Sequence, residues 1–213
     1  MHQSQTTPES IIWSVREIRG TVEELLENLD NKKLYIPYLE KISSESRKKE
    51  WLSVRVLLKE MLREEKEILY TATGKPYLSD NSFQISISHT KGFVAVALHP
   101  QQSVGIDIEY ISPRIHKIRS RFINDEEEAN LDKENEEIHL LLHWSAKESL
   151  FKILGKQDVD FKTCLHVSPF KPIRNELSQF SAFETTTEQK VSFSGYYIAN
   201  SQYVLTILYQ QDI

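Results

Sequence analysis

The chain has 213 residues, 39% of them hydrophobic, and a formal net charge of −5, which is enough to bury roughly 70% of the unfolded surface in one large domain or two small halves. No apolar stretch approaches the ~20 residues that span a bilayer, the first ten residues carry no signal-like apolar run, and 31 acidic against 26 basic residues argue against a general nucleic-acid binder. The expectation is a cytoplasmic protein with no membrane and no nucleic-acid partner, whose single cysteine, Cys164, excludes an internal disulfide and a thiolate metal cluster and reads as a buried, inert thiol.

In chain order, Ile11 to Val15 reads as a strand, and Thr21-Val-Glu-Glu carries a capping box that opens a short helix. A helical or loop segment with Pro37 follows. Ser43 or Ser44 caps a long helix expected to run to about Lys66, since Trp51, Arg55, Leu58 and Leu62 recur at helical spacing. Arg47-Lys-Lys49 lies near its start, where cations oppose the helix dipole, and reads either as a solvated face or as an anion-binding patch. Arg55 falls on the apolar stripe and needs a partner anion or a path along which to snorkel. Ile68 to Tyr70 begins a strand that Gly74-Lys-Pro76 breaks, and Phe83, Ile85 and Ile87 share one face of the strand ending in Ser88-His89. Thr90-Lys-Gly92 turns into Phe93 to Leu98, and a loop leads on to Val104 to Glu109. The expected arrangement is an antiparallel meander of three strands ending at Asp107 and Glu109.

After Ser112-Pro113 comes a basic stretch, Arg114, His116, Lys117, Arg119 and Arg121, and then Asn124-Asp-Glu-Glu-Glu128, a capped acidic first turn. A second long helix is expected from about Glu134 to Leu154, ending at Gly155. β-prone pieces follow around Cys164 to Val167, Phe180 to Glu184, Val191 to Ile198 and Tyr203 to Tyr209. The order helix then strands occurs twice without a fixed repeat period, which suggests two halves, divided as 1–110 and 111–213.

Chemistry concentrates in Gly105-Ile-Asp-Ile-Glu109 and Trp144-Ser-Ala-Lys-Glu-Ser-Leu-Phe-Lys152. On a strand Asp107 and Glu109 share a face, roughly 7 Å apart, with Ile106 and Ile108 on the other. Such a pair repels itself unless a cation intervenes, so the strand reads either as an ordinary solvated face or as a magnesium platform. Trp144, Glu148 and Lys152 recur at i, i+4 and i+8. They are either a surface ion pair or a third carboxylate at that cation with a lysine for a phosphate. His139 and His143 have a spacing that can hold zinc but no third ligand, and read as ordinary histidines. His89 is either structural or a donor to an anion. No phosphate-binding glycine loop is present, so any nucleotide must be held by side chains.

Gly74-Lys-Pro76, Ser86-Ile-Ser-His89, Gly105-Ile-Asp-Ile-Glu109 and Trp144-Ser-Ala-Lys-Glu-Ser149, in this order and spacing, resemble the 4'-phosphopantetheinyl transferases of the Sfp type. The resemblance covers roughly Ser43 to Gly155. It implies an α+β fold of two similar halves related by a pseudo-twofold, each a small, mostly antiparallel sheet packed with a long helix, in a monomer. Coenzyme A would bind between the halves in the presence of Mg2+, and its phosphopantetheine arm would pass to a serine of an apo acyl or peptidyl carrier protein. By the same match Asp107, Glu109 and Glu148 would hold the metal. Lys75, Ser88 and His89 would touch coenzyme A phosphates, Arg47 and Arg55 would lie near its 3'-phosphoadenosine end, and Lys152 would reach the pyrophosphate. Glu148 and Lys152 would be catalytic, with Glu148, or a metal-bound water relayed by it, taking the serine proton. The basic stretch and the region just after Gly155 would contact an acidic carrier. Two other classes compete. A metal-dependent nuclease or phosphohydrolase also clusters carboxylates with a lysine, and a non-catalytic coenzyme A or carrier-binding protein would share the same residues.

Overall fold

The computed structural model describes residues 5–210, and the chain divides between Gln101 and Gln102 into two units. The first contains β1 (Gln5–Thr6), β2 (Ile12–Glu17), α1 (Val22–Glu27), α2 (Lys32–Glu40), α3 (Glu45–Leu62), β3 (Ile68–Tyr70), β4 (Pro76–Leu78), β5 (Gln84–Thr90) and β6 (Phe93–His99). Its sheet runs β1-β2-β6-β5, antiparallel throughout, and β3 pairs with β4 apart from it. One side of α3 packs Val54, Leu57 and Leu58 against Ile85, Val94, Val96 and Leu98 of the sheet. Its other side packs Leu52 and Val56 against Leu25 and Leu29 and against Tyr35 and Leu39 of α2. Burial of each such side chain contributes about 1.5–3 kcal/mol.

The caps expected from sequence form: Thr21 and Glu24 make a reciprocal capping box, and the Ser44 hydroxyl accepts the Arg47 N–H. The long helix stops at Leu62, short of Lys66, where Arg63 turns left-handed at φ 61°. Contacts outside the helix account for the early stop. The Glu65 carboxylate accepts the Asp30 N–H at 2.6 Å and the Tyr35 hydroxyl at 2.8 Å, and Lys66 pairs with Asp80 at 2.6 Å.

The second unit contains β7 (Val104–Tyr110), α4 (Ile115–Ile118), a 3-10 turn at Arg119–Arg121, α5 (Asp125–Ala129), α6 (Glu136–Leu154), β8 (Leu165–Val167), β9 (Ser178–Glu184), β10 (Ser192–Ala199) and β11 (Tyr203–Gln210). The sheet order is β7-β11-β10-β9-β8, again antiparallel. This replaces the expected three-strand meander: β5 and β6 form a hairpin, but β7 pairs with β11 and belongs to the second sheet. Neighbouring strands pair often, not always, and here a distant partner wins. The division consequently falls before β7 and not after residue 110. The class itself, α+β with two sheet-bearing halves and a long helix in each, is the expected one. Cys164 is half-exposed, not buried, in the turn before β8. No helix among the described residues is long and apolar enough to cross a membrane.

Helix α6 packs Leu140, Leu142, Ala146 and Leu150 into a core with Phe122, Leu165, Val204 and Leu208. Within this apolar layer lies an ion pair. Lys147, fully buried, stands 2.7 Å from Glu127 and also donates to the Phe122 and Phe161 carbonyls. Glu127 closes the α5 capping box on Asn124 and accepts the Val167 N–H at 3.0 Å, with His143 Nδ1 3.7 Å away. The pair therefore ties α6 to α5, to β8 and to the segment after α6. Burial alone would raise the Glu127 pKa, but His143 and Lys147 outweigh it and hold the carboxyl down at about 2. A depressed carboxyl contributes stability that is complete above its unfolded value and is lost as pH falls through its folded one. Glu127→Ala, which strands a buried ammonium, is expected to cost about 3–5 kcal/mol near neutral pH in urea unfolding. The gap to the parent should narrow as pH falls from 4.5 toward 2. A gap independent of pH across that window would mean that the carboxylate charge is not what holds Lys147.

Candidate active site

Gly105, Asp107 and Glu109 alternate along β7 and face α6, while Ile106 and Ile108, both fully buried, face the other way. Gly105 has a steric reason to be glycine: a Cβ built there would lie 2.0 Å from the Ser149 carbonyl oxygen. Helix and strand backbones are in contact at this point, which brings the helix face carrying Trp144, Glu148 and Lys152 onto the two strand carboxylates. Lys152 Nζ reaches Asp107 Oδ1 and the Ile106 carbonyl, each at 2.8 Å. The Trp144 indole N–H donates to Glu109 Oε1 at 2.8 Å, and its ring is held between Phe122 and Phe161 at centroid distances of 5.3 and 5.5 Å.

The electrostatics of this face are unbalanced. Burial, and after it the charge of Asp107, lifts the Glu109 carboxyl to about 7, with the Trp144 hydrogen bond opposing and Glu148 adding to the rise. Burial and then Asp107 likewise raise Glu148 to about 7, against the pull of Lys152. Three carboxylates thus share one ammonium. That donor set fits a hard divalent cation such as Mg2+, which takes carboxylate oxygens and would supply the missing positive charge. As the side chains stand, no three His, Cys, Asp or Glu groups among the described residues enclose a ready metal cage. Lys152 and Trp144 instead hold Asp107 and Glu109 one each.

Arg47 and His89 line a cavity of about 750 Å3 in the first unit, with Tyr38, Lys41, Trp51, Arg55, Tyr70 and Gly74 among its other walls. This lies within the usual range for small-ligand pockets. Arg47 Nη1 donates to His89 Nε2 at 2.9 Å and to Glu50 at 2.7 Å. His89 Nδ1 lies on the side of Glu50, at 3.9 Å. Arg55 resolves the question its position raised: its guanidinium lies 3.2 Å from the Trp51 ring centroid and donates to the Trp51 carbonyl. It needs no carboxylate, and burial lowers its pKa to about 10 despite support from nearby tyrosines. Lys75 and Ser88 stand beside the cavity, not in its walls; Ser88 is buried in β5. The expected site residues therefore fall into two groups, one in each unit.

Sequence reasoning missed Lys147 and Glu127, because lysine and glutamate are almost never fully buried and nothing local marks these two. It also missed that Trp144 orients Glu109. The expected basic stretch loses one member, since Arg119 is bound to Glu128 and Glu136. Arg114, His116, Lys117 and Arg121 remain exposed. His139 and His143 pack on each other and on Phe170. Burial, then His143, lowers His139 to about 4.

Because helix and strand touch at Gly105, Gly105→Ala is expected to push α6 away and to destabilise by an amount at the upper end of ~1–3 kcal/mol in denaturant unfolding. A protein of parental stability would show that the contact with Ser149 is not so close.

Residues 103–208 match the family model described as the 4'-phosphopantetheinyl transferase superfamily. Among curated proteins, the 4'-phosphopantetheinyl transferases AcpT of Salmonella typhi and Salmonella typhimurium are each 31% identical over 115 residues, which is 51% of this chain and 60% of the relative. AcpT of Escherichia coli K12 is 30% identical over 115 residues, 51% of this chain and 59% of its own. The chain thus spans about three fifths of the length of these relatives. The matched stretch takes in β7, α6 and most of β11, so the framework that carries Asp107, Glu109, Glu148 and Lys152 is the part of the chain that matches a transferase family.

Proposed function

We propose that the protein is a 4'-phosphopantetheinyl transferase of the Sfp type that moves the phosphopantetheine arm of coenzyme A to a serine of an apo acyl or peptidyl carrier protein. The observation that carries this reading is the half-buried face of three carboxylates and one lysine inside the stretch that matches the transferase family. A phosphorus centre attacked by a hydroxyl needs positioning and charge neutralisation more than covalent help from the enzyme. The carrier serine oxygen forms a bond to the phosphorus of the pantetheine phosphate as the bond from that phosphorus to the bridging oxygen breaks. The electron pair leaves with 3',5'-ADP. The serine proton goes to Glu148, or to a water that Glu148 orients. Lys152 offsets the charge that grows on the departing phosphate. Mg2+, held by Asp107, Glu109 and Glu148, would neutralise the pyrophosphate.

For the nucleotide we assign the first-unit cavity. Arg47 and His89 would meet phosphate there, Arg55 would lend positive charge from beneath Trp51, and Lys75 and Ser88 would act from its margin. An acidic carrier would be steered by Arg114, Lys117 and Arg121; Arg119 is withdrawn from that role by its two glutamates. The protein would act as a cytoplasmic monomer, with neither nucleic acid nor membrane as a partner.

The test is the intact mass of candidate apo-carriers incubated with the protein, coenzyme A and Mg2+. A gain of one phosphopantetheine arm, dependent on all components, is expected; hydrolysis of a nucleic acid or phosphoester without coenzyme A would replace the proposal with the nuclease reading. Glu148→Gln is expected to lower kcat on the order of a hundredfold while coenzyme A binding stays within about threefold. Near-parental turnover in that variant would remove Glu148 from the chemistry. Lys117→Glu with Arg121→Glu should raise the KM for carrier, more so at low salt, and leave coenzyme A binding alone. Equal losses for both substrates would sink the steering role.

A further inference from the structure

Strand β11 is aliphatic through its centre, with Val204, Leu205, Ile207 and Leu208 all fully buried, and yet Thr206 stands among them at 1% exposure. Valine would fill the same volume and favour a strand equally well, whereas a buried hydroxyl costs free energy unless it is bonded. The hydroxyl is engaged twice. Thr206 Oγ1 lies 2.9 Å from Ser145 Oγ and 2.9 Å from Ser149 Oγ, two fully buried serines one turn apart on α6. Ser145 also reaches the Asp107 carbonyl at 3.2 Å, and Ser149 the Thr206 carbonyl at 3.2 Å. Three hydroxyl hydrogens fill three of these four contacts at a time, so the cluster shares them. Serine is a poor choice in a helix interior, which makes two at this spacing, against a threonine, more than helix propensity would place there.

The location matters more than the energy. Thr206 is the residue directly opposite Asp107 in the β7–β11 register, so the two side chains lie on the same face of the sheet, toward α6. Ser149 is the residue after Glu148, and Ser145 holds the backbone of Asp107 itself. We propose that Thr206 is a positioning residue: through Ser145 and Ser149 it sets the height and rotation at which Glu148 and Lys152 meet Asp107. This rests on the transferase reading for its catalytic consequence, but not for its effect on the carboxylates as ligands. Without the hydroxyl, each serine keeps its own carbonyl acceptor, so Thr206→Val should fold and yet leave the helix free to shift by fractions of an ångström. Misplacement on that scale is costly for phosphoryl transfer.

The test compares Thr206→Val with Thr206→Ser in the full chain, by three measurements: thermal unfolding, Mn2+ affinity from electron paramagnetic resonance titration of the protein alone, and steady-state transfer. Thr206→Val is expected to unfold cooperatively, to bind Mn2+ on the order of tenfold more weakly, and to lose on the order of tenfold to a hundredfold in kcat with KM for coenzyme A within about twofold. Thr206→Ser should restore both Mn2+ affinity and kcat. Parental values in Thr206→Val would overturn the proposal. Equal loss in the two variants would overturn it too, since the methyl and not the hydroxyl would then matter, as would a Thr206→Val protein without cooperative unfolding, since the hydroxyl would then hold the fold and not the site. If the parent transfers nothing to any carrier, the transferase reading fails, while the Mn2+ difference between the two variants still decides the role of Thr206.

Discussion

Helix α6 can lie against β7 as closely as it does because residue 105 has no side chain, and the chemistry of the second unit follows from that closeness. With the Ser149 carbonyl 2.0 Å from where a Cβ would stand, there is no layer of side chains between helix and strand. Short groups can therefore span the gap: serine hydroxyls reach backbone carbonyls, and Lys152 bends back to the strand at Ile106 and Asp107. A wider spacing would draw Asp107 and Glu148 apart and weaken the effect of each charge on the other. That mutual influence is visible in the raised carboxyls of Glu109 and Glu148.

The same closeness creates a problem that the fold solves at one place and not at another. Lys147 and Glu127 are buried in equal numbers, one cation to one anion, with the remaining lone pairs and protons bonded to the backbone. This is the arrangement that makes a buried ion pair tolerable. One turn along the helix, Lys152 faces three carboxylates. Charges that are balanced on one flank of the helix and unbalanced on the next distinguish a structural pair from a site, because an excess of like charge is retained only where something else compensates it.

Much of this was legible in the residues. Thr21, Ser44, Asn124 and Gly155 mark helix ends by local hydrogen-bonding chemistry that does not depend on the rest of the fold, and they cap as expected. The period-two alternation at 105, 107 and 109 and the i, i+4, i+8 stripe at 144, 148 and 152 put the right side chains on one face. The partner of β7 was not legible. Its alternation is satisfied equally by β6 or by β11, and pairing across a hundred residues leaves no local trace. Nor was the use of Arg119, whose basic neighbours stay exposed while it is taken by Glu128 and Glu136. Charge runs read alike whether solvated or bonded.

A helix that must hold a carboxylate to a fraction of an ångström has to be fixed in rotation as well as in distance, and α6 is fixed on three stripes. Trp144 and Lys152 bind β7, Ser145 and Ser149 bind Thr206 of β11, and Lys147 binds Glu127 with His143 beside it. Successive residues on a helix are about 100° apart, so the contacts at 143, 144 and 145 alone span some 200° of its circumference. A rotation that relieved one stripe would strain another. This over-determination explains how a face carrying surplus negative charge keeps its geometry: the repulsion among Asp107, Glu109 and Glu148 pushes against a helix anchored on one flank by a buried ion pair and on the other by hydroxyls. Burial first, and the charge of Asp107 after it, then raise the carboxyls of Glu109 and Glu148.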